Sequence, residues 1–516
     1  MEVNSLGRLQ DAVNKVAERI ASEYVHSPPG FEQRKIFRDA VHGFCVLEPG
    51  ILLLLDSPFL QRLRGLSQTS LARLTYPSST HTRFEHSIGV YHMAGEMIKA
   101  YERSPHDREI KEPLRTEIRV AALLHDTGHG PFSHSSEDVY RRREVFTIIK
   151  DRKKNQFANA SPSEILTWCL LRSPTFKILW HKVAAKFPKA SLDDASLSRI
   201  GSMIVGSDVG LEPQTRHLRA IVNGPFDADK LDYLARDGHF TGLRISLDIQ
   251  RLLWGLRDGR NPENDQTELC IDIGSLSALE QVIFCKAQLY GQLYHHHKVR
   301  AAGALITRLL ERYEERYPKL GRNPAEYLTL TESSLLGGDL KDRVLTRLVA
   351  RIALRQLPMR CLVMEKQTLH STSGTPPNEA PSEEDERNES NWNQKILLNW
   401  RTDRAKVLSA ERAIAAKAGQ PANSVYVDAP HPASLVAPGG AIIALSDRKT
   451  MWLHDLFPAE GWANTYNAYR SNAYIFSDSA EPRVRRSIAE AAREWLSSQE
   501  VHFSDLAIDL ARIPSP

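Results

Sequence analysis

Hydrophobic residues recur at helical spacing over most of this chain. Leu6, Leu9, Val13, Val16 and Ile20 fall on one face and predict an amphipathic helix over residues 4–25, before a loop with Pro28-Pro29-Gly30. Lys35 to Leu47 reads as two extended segments turning at Gly43. Ser57-Pro58 places an N-cap serine before a proline at the first helical position, and that helix carries Gln61, Arg62, Arg64 and Gln68. In the next predicted helix His86, Val90, Met93 and Met97 recur at four, three and four residues and share a face. A histidine heading an apolar stripe is either a satisfied core residue or a ligand. The apolar run Val120 to Leu124 ends in adjacent His125 and Asp126, and Gly128, Gly130 and Pro131 then break the helix. Residues 161–225 read as mostly helical. Over residues 227–237 a helix would set Asp229, Tyr233, Arg236 and Asp237 on one face, with Lys230 on an overlapping flank. A long helical stretch over residues 275–316 contains His295, His296 and His297, which on a helix point in different directions and cannot form one metal site.

Other stretches lack this pattern. Residues 141–160 are basic and polar and read as a solvated loop, with a phosphate or nucleic-acid contact as the lesser alternative. Within 366–394, little is apolar and Pro, Ser and acids abound, which predicts a disordered loop. Ser424 to Ala433 and Gly440 to Leu445 read as strands, and Pro482 to Ser498 as a helix. The expected fold is mainly α: an N-terminal helix and linker (1–32), a helical core (33–365), the loop (366–394) and a smaller C-terminal α+β lobe (395–516).

With 516 residues and 41% hydrophobic content the chain can bury a large core. No apolar run nears the eighteen or so residues that span a bilayer, so no membrane is expected. Residues 1–24 lack the apolar segment of a signal peptide, and the five cysteines form no Cys-x-x-Cys pair. Both features fit a reduced, cytoplasmic protein. A net charge of +4 favours polyphosphates slightly and does not by itself imply nucleic-acid binding.

The densest chemistry lies at His125-Asp126-Thr-Gly-His129-Gly-Pro-Phe-Ser-His134-Ser-Ser-Glu137. Adjacent His and Asp at a helix end offer an imidazole nitrogen and a carboxylate oxygen to one point, a donor pair for Mn, Fe, Ni or Zn. His129 and His134 follow as candidate acids or bases.

Six ordered motifs carry a resemblance. They are Phe37-x-Asp39-x-Val41-His42-Gly43, Asp56-x-Pro58-x-x-Gln61-Arg62-Leu63-Arg64 and His81-x-Arg83-Phe84-Glu85-His86-Ser87. Leu124-His125-Asp126 through His134, Asp227-x-Asp229-Lys230-x-Asp232-Tyr233-x-x-Arg236-Asp237 and His297-Lys298 complete them. Together they resemble the HD-domain deoxynucleoside triphosphate triphosphohydrolases, in the layout of the animal SAM-and-HD-domain enzymes and their dGTPase-like bacterial relatives. The thirty or so residues before the first motif leave no room for a SAM domain.

The resemblance implies a divalent metal (Mn, Fe or Mg, with Zn or Ni as alternatives) held by His86, His125, Asp126 and Asp229. It implies attack of water on the α-phosphorus of a dNTP and release of deoxynucleoside and intact triphosphate. His134 would be the acid, oriented by Glu137, and His129 would contact the α-phosphate. Arg83, Lys230 and Tyr233 would hold phosphates, and Gln68 and Asp237 would face the sugar 3′-hydroxyl. A nucleotide effector at a subunit interface would meet Lys35, Asp56, Gln61, Arg64 and Lys298, in a homodimer or homotetramer. The alternative is that Gln61 to Arg64 simply brace the core. Two positions depart from the animal enzymes. Ser163 stands where they carry a histidine, and Ala287, beside Lys286, where they carry a phosphate-binding arginine. A nuclease or phosphodiesterase gripping nucleic acid through residues 141–154, and a catalytically weak nucleotide sensor, are the rival readings. Antiviral defence enters only by analogy with the family.

Overall fold

The computed structural model of the chain describes residues 5–103, 109–338, 341–369, 383–435, 440–446, 449–470 and 472–514. Helix Ser5–His26 buries Leu9, Val13 and Val16, as its spacing predicts. Strands Lys35–Asp39 and Gly43–Leu47 pair antiparallel, with Ile36 opposite Val46 and Arg38 opposite Phe44. Gly43 closes that turn at φ +75°, where a side chain would be strained. Ser57 sits at the N-cap of the single turn Pro58–Gln61, but its hydroxyl donates back to the Leu54 carbonyl at 2.5 Å instead of capping forward.

The elements that matter for chemistry are three helices. Arg83–Glu102 starts on a capping box: the Glu85 carboxylate accepts from the Thr82 N–H at 2.5 Å and from its hydroxyl at 2.6 Å. The expected inward stripe is buried, and Phe84, Ile88, Tyr91 and Ile98 are buried with it. Helices Leu114–Leu124 and Ala228–Thr241 pack against it.

The chain folds into two compact units. Residues Met1–Leu289, Leu309–Leu345 and Val436–Ala459 make the first, and Tyr290–Arg308, Thr346–Leu435 and Glu460–Pro516 the second. Beside its helices the first holds a four-stranded sheet in the order Leu256–Arg260, Thr267–Asp272, Ile442–Ser446, Lys449–Trp452. The middle pair is parallel and the outer pairs antiparallel. The second unit has Ala473–Ser477 between Met359–Met364 and Val425–Asp428, all antiparallel. Helices Arg404–Lys417 and Pro482–Ser497 pack on that sheet around Leu362, Trp400, Ile475 and Ile488. A mainly α chain with a smaller α/β portion is therefore what forms.

Three local expectations change. Residues 141–160 are not a loop: Glu144–Arg152 and Lys154–Phe157 are helical, anchored by buried Phe146, Ile149 and Phe157. Few apolar residues among many cations hid that stripe. The 275–316 stretch is two helices, Leu276–Leu289 and His297–Arg316, interrupted by a π-helical turn at Tyr290–Tyr294 that contains the weak helix former Gly291. Of the expected loop at 366–394, residues 370–382 lie outside the described residues. Its flanks are ordered, because Asn388 donates to the carbonyls of Leu369 and His502, both at 2.8 Å. Among the described residues no helix is long and apolar enough to cross a membrane. The five cysteines are free and buried.

Candidate metal centre

The first unit brings three donor atoms together. One atom each of His86, His125 and Asp229 lies within 4.8 Å of the others, the one such cluster among the described residues. His86 Nε2 is 3.0 Å from Asp229 Oδ1, and His125 Nε2 is 3.8 Å from the same oxygen. Asp126 flanks them, 3.6 Å from His86 Nε2 and 3.4 Å from His125 Nε2.

Both imidazoles are oriented through their other nitrogen. His125 Nδ1 donates to the Ala122 carbonyl at 2.8 Å, because the last turn of its helix leaves that oxygen open. His86 Nδ1 donates to Asp232 Oδ2 at 2.7 Å. In each ring Nε2 is the nitrogen left to face a ligand. His125 Nε2 is buried and has no hydrogen-bond partner among the described residues. Two imidazoles oriented through Nδ1, two carboxylates and one orphaned nitrogen fit a divalent cation of the Mn, Fe or Zn type.

Charge at the site is strongly perturbed. Burial alone would depress His86, but its hydrogen bonds to Asp229 and Asp232 carry the imidazole up to about 10. Burial opposes ionisation of Asp126, yet Arg83, His125 and His129 hold its carboxyl well below the ordinary range. Arg83 Nη1 donates to Asp126 and its Nε to Ser133 Oγ at 2.8 Å, while Nη2 is buried without a partner. His129 is pushed down to about 3, first by burial and then by Arg83, and so stays neutral. Its Nε2 lies 3.3 Å from Asp126 Oδ1.

His134 opens helix His134–Tyr140 after a turn in which Phe132 (φ 61°) and Ser133 (φ 52°) take left-handed backbone. Its ring meets that of His129 edge-on at 5.4 Å between centroids. Its side chain is 77% exposed, so it is open to a ligand, while its Nδ1 is 3.1 Å from buried Glu137 Oε2. At the departure, Ser163 bonds the carboxylate that faces His134. The Ser163 N–H and hydroxyl donate to Glu137 Oε1 at 3.2 and 3.0 Å.

The other expected residues divide. Tyr233 is half-buried on the helix that begins beside Asp229. Asp237 accepts from His81 Nε2 at 2.7 Å, and Gln68 Oε1 is buried with no partner. Lys230 is turned back onto its own helix cap, 2.5 Å from Asp227 and 2.9 Å from the Gly224 carbonyl. Among the effector candidates, Gln61 donates to the Leu55 carbonyl at 2.9 Å and accepts from Arg64 Nε at 3.0 Å. Arg64 also lies 3.6 Å above the Phe84 ring, and Lys35 4.7 Å above that of Phe31. Asp56 is half-buried at the C-cap of helix Pro49–Leu55, and Lys298 belongs to the second unit.

Four residues escaped assignment from sequence. Asp232 and His42 stood inside quoted motifs with no stated role, although an extra carboxylate three residues after a ligand was a usable signal. Lys286 is buried on the Leu276–Leu289 helix, which packs on the Ala228–Thr241 helix. Glu332 gave no signal at all. It accepts from the N–H groups of Ser67 at 2.8 Å and Phe132 at 3.3 Å, which pins the strained turn before His134.

Comparison with known proteins agrees with this geometry. Residues 83–173 match the family model described as HD domain. The chain carries an HD domain. That segment includes every candidate ligand except Asp229. An uncharacterized protein of Bacillus subtilis, YwfO, is 29% identical over 55% of this chain and 57% of its own length. The deoxynucleoside triphosphate triphosphohydrolase SAMHD1 of Danio rerio is 31% identical over 43% of this chain and 36% of its own. The Dictyostelium discoideum homolog of that enzyme is 26% identical over 63% and 58%. The chain thus spans about half the length, or less, of such relatives. The fold around the HD domain also resembles the crystal structure of a hypothetical protein from Aquifex aeolicus, at a TM-score of 0.60 and 23% identity over 90% of this chain and 100% of that one.

Proposed function

We propose that the chain is a metal-dependent phosphohydrolase that converts a dNTP and water into deoxynucleoside and inorganic triphosphate. The observation that carries the reading is the convergence of His86 Nε2, His125 Nε2 and Asp229 next to Asp126. The relatives named as dNTP triphosphohydrolases supply the substrate class.

A bound metal would polarise a phosphoryl oxygen and lower the pKa of the attacking water. His134 donates a proton to the 5′ oxygen as its bond to the α-phosphorus breaks, with Glu137 holding the far side of the ring. Neutral His129 contacts the α-phosphate. Arg83 offers its free Nη2, and Lys230 and Lys286 supply charge for the outer phosphates. Lys230 must leave Asp227 to do so. Tyr233 borders the phosphates, and Gln68 and Asp237 meet the sugar edge, where a missing 2′-hydroxyl is selected by fit. Nucleotide regulation through Lys35, Asp56, Gln61 and Arg64, and separately through Lys298, belongs to the same proposal, with homo-oligomer formation and a cytoplasmic setting. The nuclease reading loses support where Arg142 pairs with Glu311 at 2.8 Å and Arg143 with Glu314.

The test is a product assay with Mn²⁺ and each dNTP, singly and in mixtures. Deoxynucleoside plus intact triphosphate is expected, and turnover confined to mixtures identifies an effector. Stepwise phosphate loss, cleavage of single-stranded nucleic acid, or nucleotide binding without turnover would each overturn the reading.

A further inference from the structure

The carboxylate that orients His86 also holds the turn of the N-terminal hairpin. Asp232 Oδ2 meets His86 Nδ1 at 2.7 Å and Arg236 Nε at 2.8 Å. Its Oδ1 meets His42 Nε2 at 2.5 Å and Arg236 Nη2 at 3.0 Å. Arg236 Nη1 reaches on to Asp39 Oδ2 at 2.9 Å. His42 and Asp39 lie in the turn and at the end of the first strand of the hairpin Lys35–Asp39/Gly43–Leu47.

We propose that His42 is a positioning residue for the metal ligand His86, acting through the Asp232 carboxylate that both imidazoles share. The inference rests on the metal-site reading alone, not on the substrate. An ionised carboxylate only accepts, so the imidazole nitrogens facing Asp232 must both carry hydrogen. That keeps hydrogen on His86 Nδ1 and leaves Nε2, which faces Asp229 and the cation position, as the nitrogen a cation would take by displacing its proton. Four donors saturate the carboxylate, two on each oxygen. Arg236 alone grips both oxygens, and its Nη1 is tied to Asp39. His42 donates to Oδ1 beside Arg236 Nη2 and is the second residue that holds that oxygen in place. The clamp has no slack against helix Arg83–Glu102, since a Cβ on Gly89 would fall 2.0 Å from Asp232 Oδ1 and 2.3 Å from Arg236 Nη2. Loss of one donor must therefore be taken up by rotation of the carboxylate, and His86 follows.

The hairpin has little else to hold it on its outer face, where Ile36 is 66% and Phe44 64% exposed. The His42 side chain, in contrast, is only 7% exposed and stacks on His92 with 5.3 Å between centroids. The turn is thus joined to the metal ligand through two hydrogen bonds. Anything that shifts the hairpin changes cation affinity.

The test uses the full chain, stripped with EDTA, and Mn²⁺ affinity measured by equilibrium dialysis, with circular dichroism as a check on folding. His42→Ala is expected to weaken Mn²⁺ binding by about 10–100-fold, the usual cost of losing a group that orients a ligand. His42→Gln keeps a donor and should recover most of that loss. Combining His42→Ala with Asp232→Asn should cost no more than Asp232→Asn alone, because His42 acts only through that carboxylate. Gly89→Ala, which removes no donor, should weaken Mn²⁺ as well and serves if Asp232→Asn does not fold. Mn²⁺ affinity in His42→Ala within twofold of the parent, no recovery in His42→Gln, or additive losses in the double variant would overturn the proposal. A parent chain that binds no Mn²⁺ overturns the site along with it. A failed triphosphate assay leaves it standing.

Discussion

At the scale of single residues, the candidate acid stands apart from the donor cluster. His134 is exposed, hydrogen-bonded to Glu137, and not part of the donor cluster. His134→Ala should lower kcat by about 10²–10⁴-fold, as for a lost general acid, while Mn²⁺ affinity stays within a few-fold. Steady-state kinetics beside dialysis decide this, and a matching loss of metal would remove His134 from the role of acid. Lys286 gives a second prediction. Its ammonium is pushed down to about 8, first by burial and then by Lys230. Between pH 8 and the ordinary lysine value of 10.5 the unfolded chain binds more protons than the folded one, so stability rises with pH there. Below pH 8 the buried charge costs stability in full. In metal-free protein Lys286→Met should therefore gain about 2–3 kcal/mol at pH 7, and the gain should fade as pH approaches 10.5. Urea melts at the two pH values measure it, and a gain independent of pH would mean that burial of charge is not the cause.

At the scale of elements, the loop after Asp126 works because it is crowded. Gly128 packs where a Cβ would lie 2.0 Å from the Ser163 carbonyl and 2.6 Å from the Thr167 N–H, both backbone atoms of the neighbouring helix or its first turn. Gly128 N–H donates to Thr167 Oγ1 at 2.8 Å. Gly128→Ala should push the 162–171 helix away and cost about 1–3 kcal/mol, the range for overpacking a filled interior. A melting temperature equal to the parent's would show that the loop has room. Much of this scale was legible in sequence. The apolar run ending at His125-Asp126, the breakers after it, and the stripe headed by His86 each correspond to a real helix end or helix face. The 144–152 helix was not legible, because only Phe146 and Ile149 mark its buried side. The strands Leu256–Arg260 and Met359–Met364 were missed for a different reason. They are short, and their pairing partners lie far along the chain or in segments whose own pattern is ambiguous.

At the scale of the molecule, binding energy becomes stability. A cation that binds the folded chain and not the unfolded one raises the unfolding free energy by about 2.7 kcal/mol at a hundred times its Kd. Mn²⁺ should raise the melting temperature of the parent and EDTA should lower it. Asp126→Ala should bind less metal, lose turnover and flatten that response, and a variant that keeps both metal and turnover would sink the site. The candidate ligands come from three helices, so a bound cation would also tie together segments more than a hundred residues apart, from His86 to Asp229.

The sequence by itself determined the helical class, the helix ends that present His125 and His86, and the residue types able to hold a cation. These follow from local periodicity and from the chemistry of each side chain, which neighbours in the chain already express. Only the tertiary structure decided which donors converge, that Lys230 turns back to Asp227, that Glu332 braces the turn before His134, and that His42 and His86 share one carboxylate. Each of those outcomes except the Lys230 pairing joins residues far apart in the chain. The Lys230 pairing depends on which rotamer the surrounding packing permits. Hydrogen bonds act over about 3 Å, so such contacts have no trace in local pattern until the helices have packed.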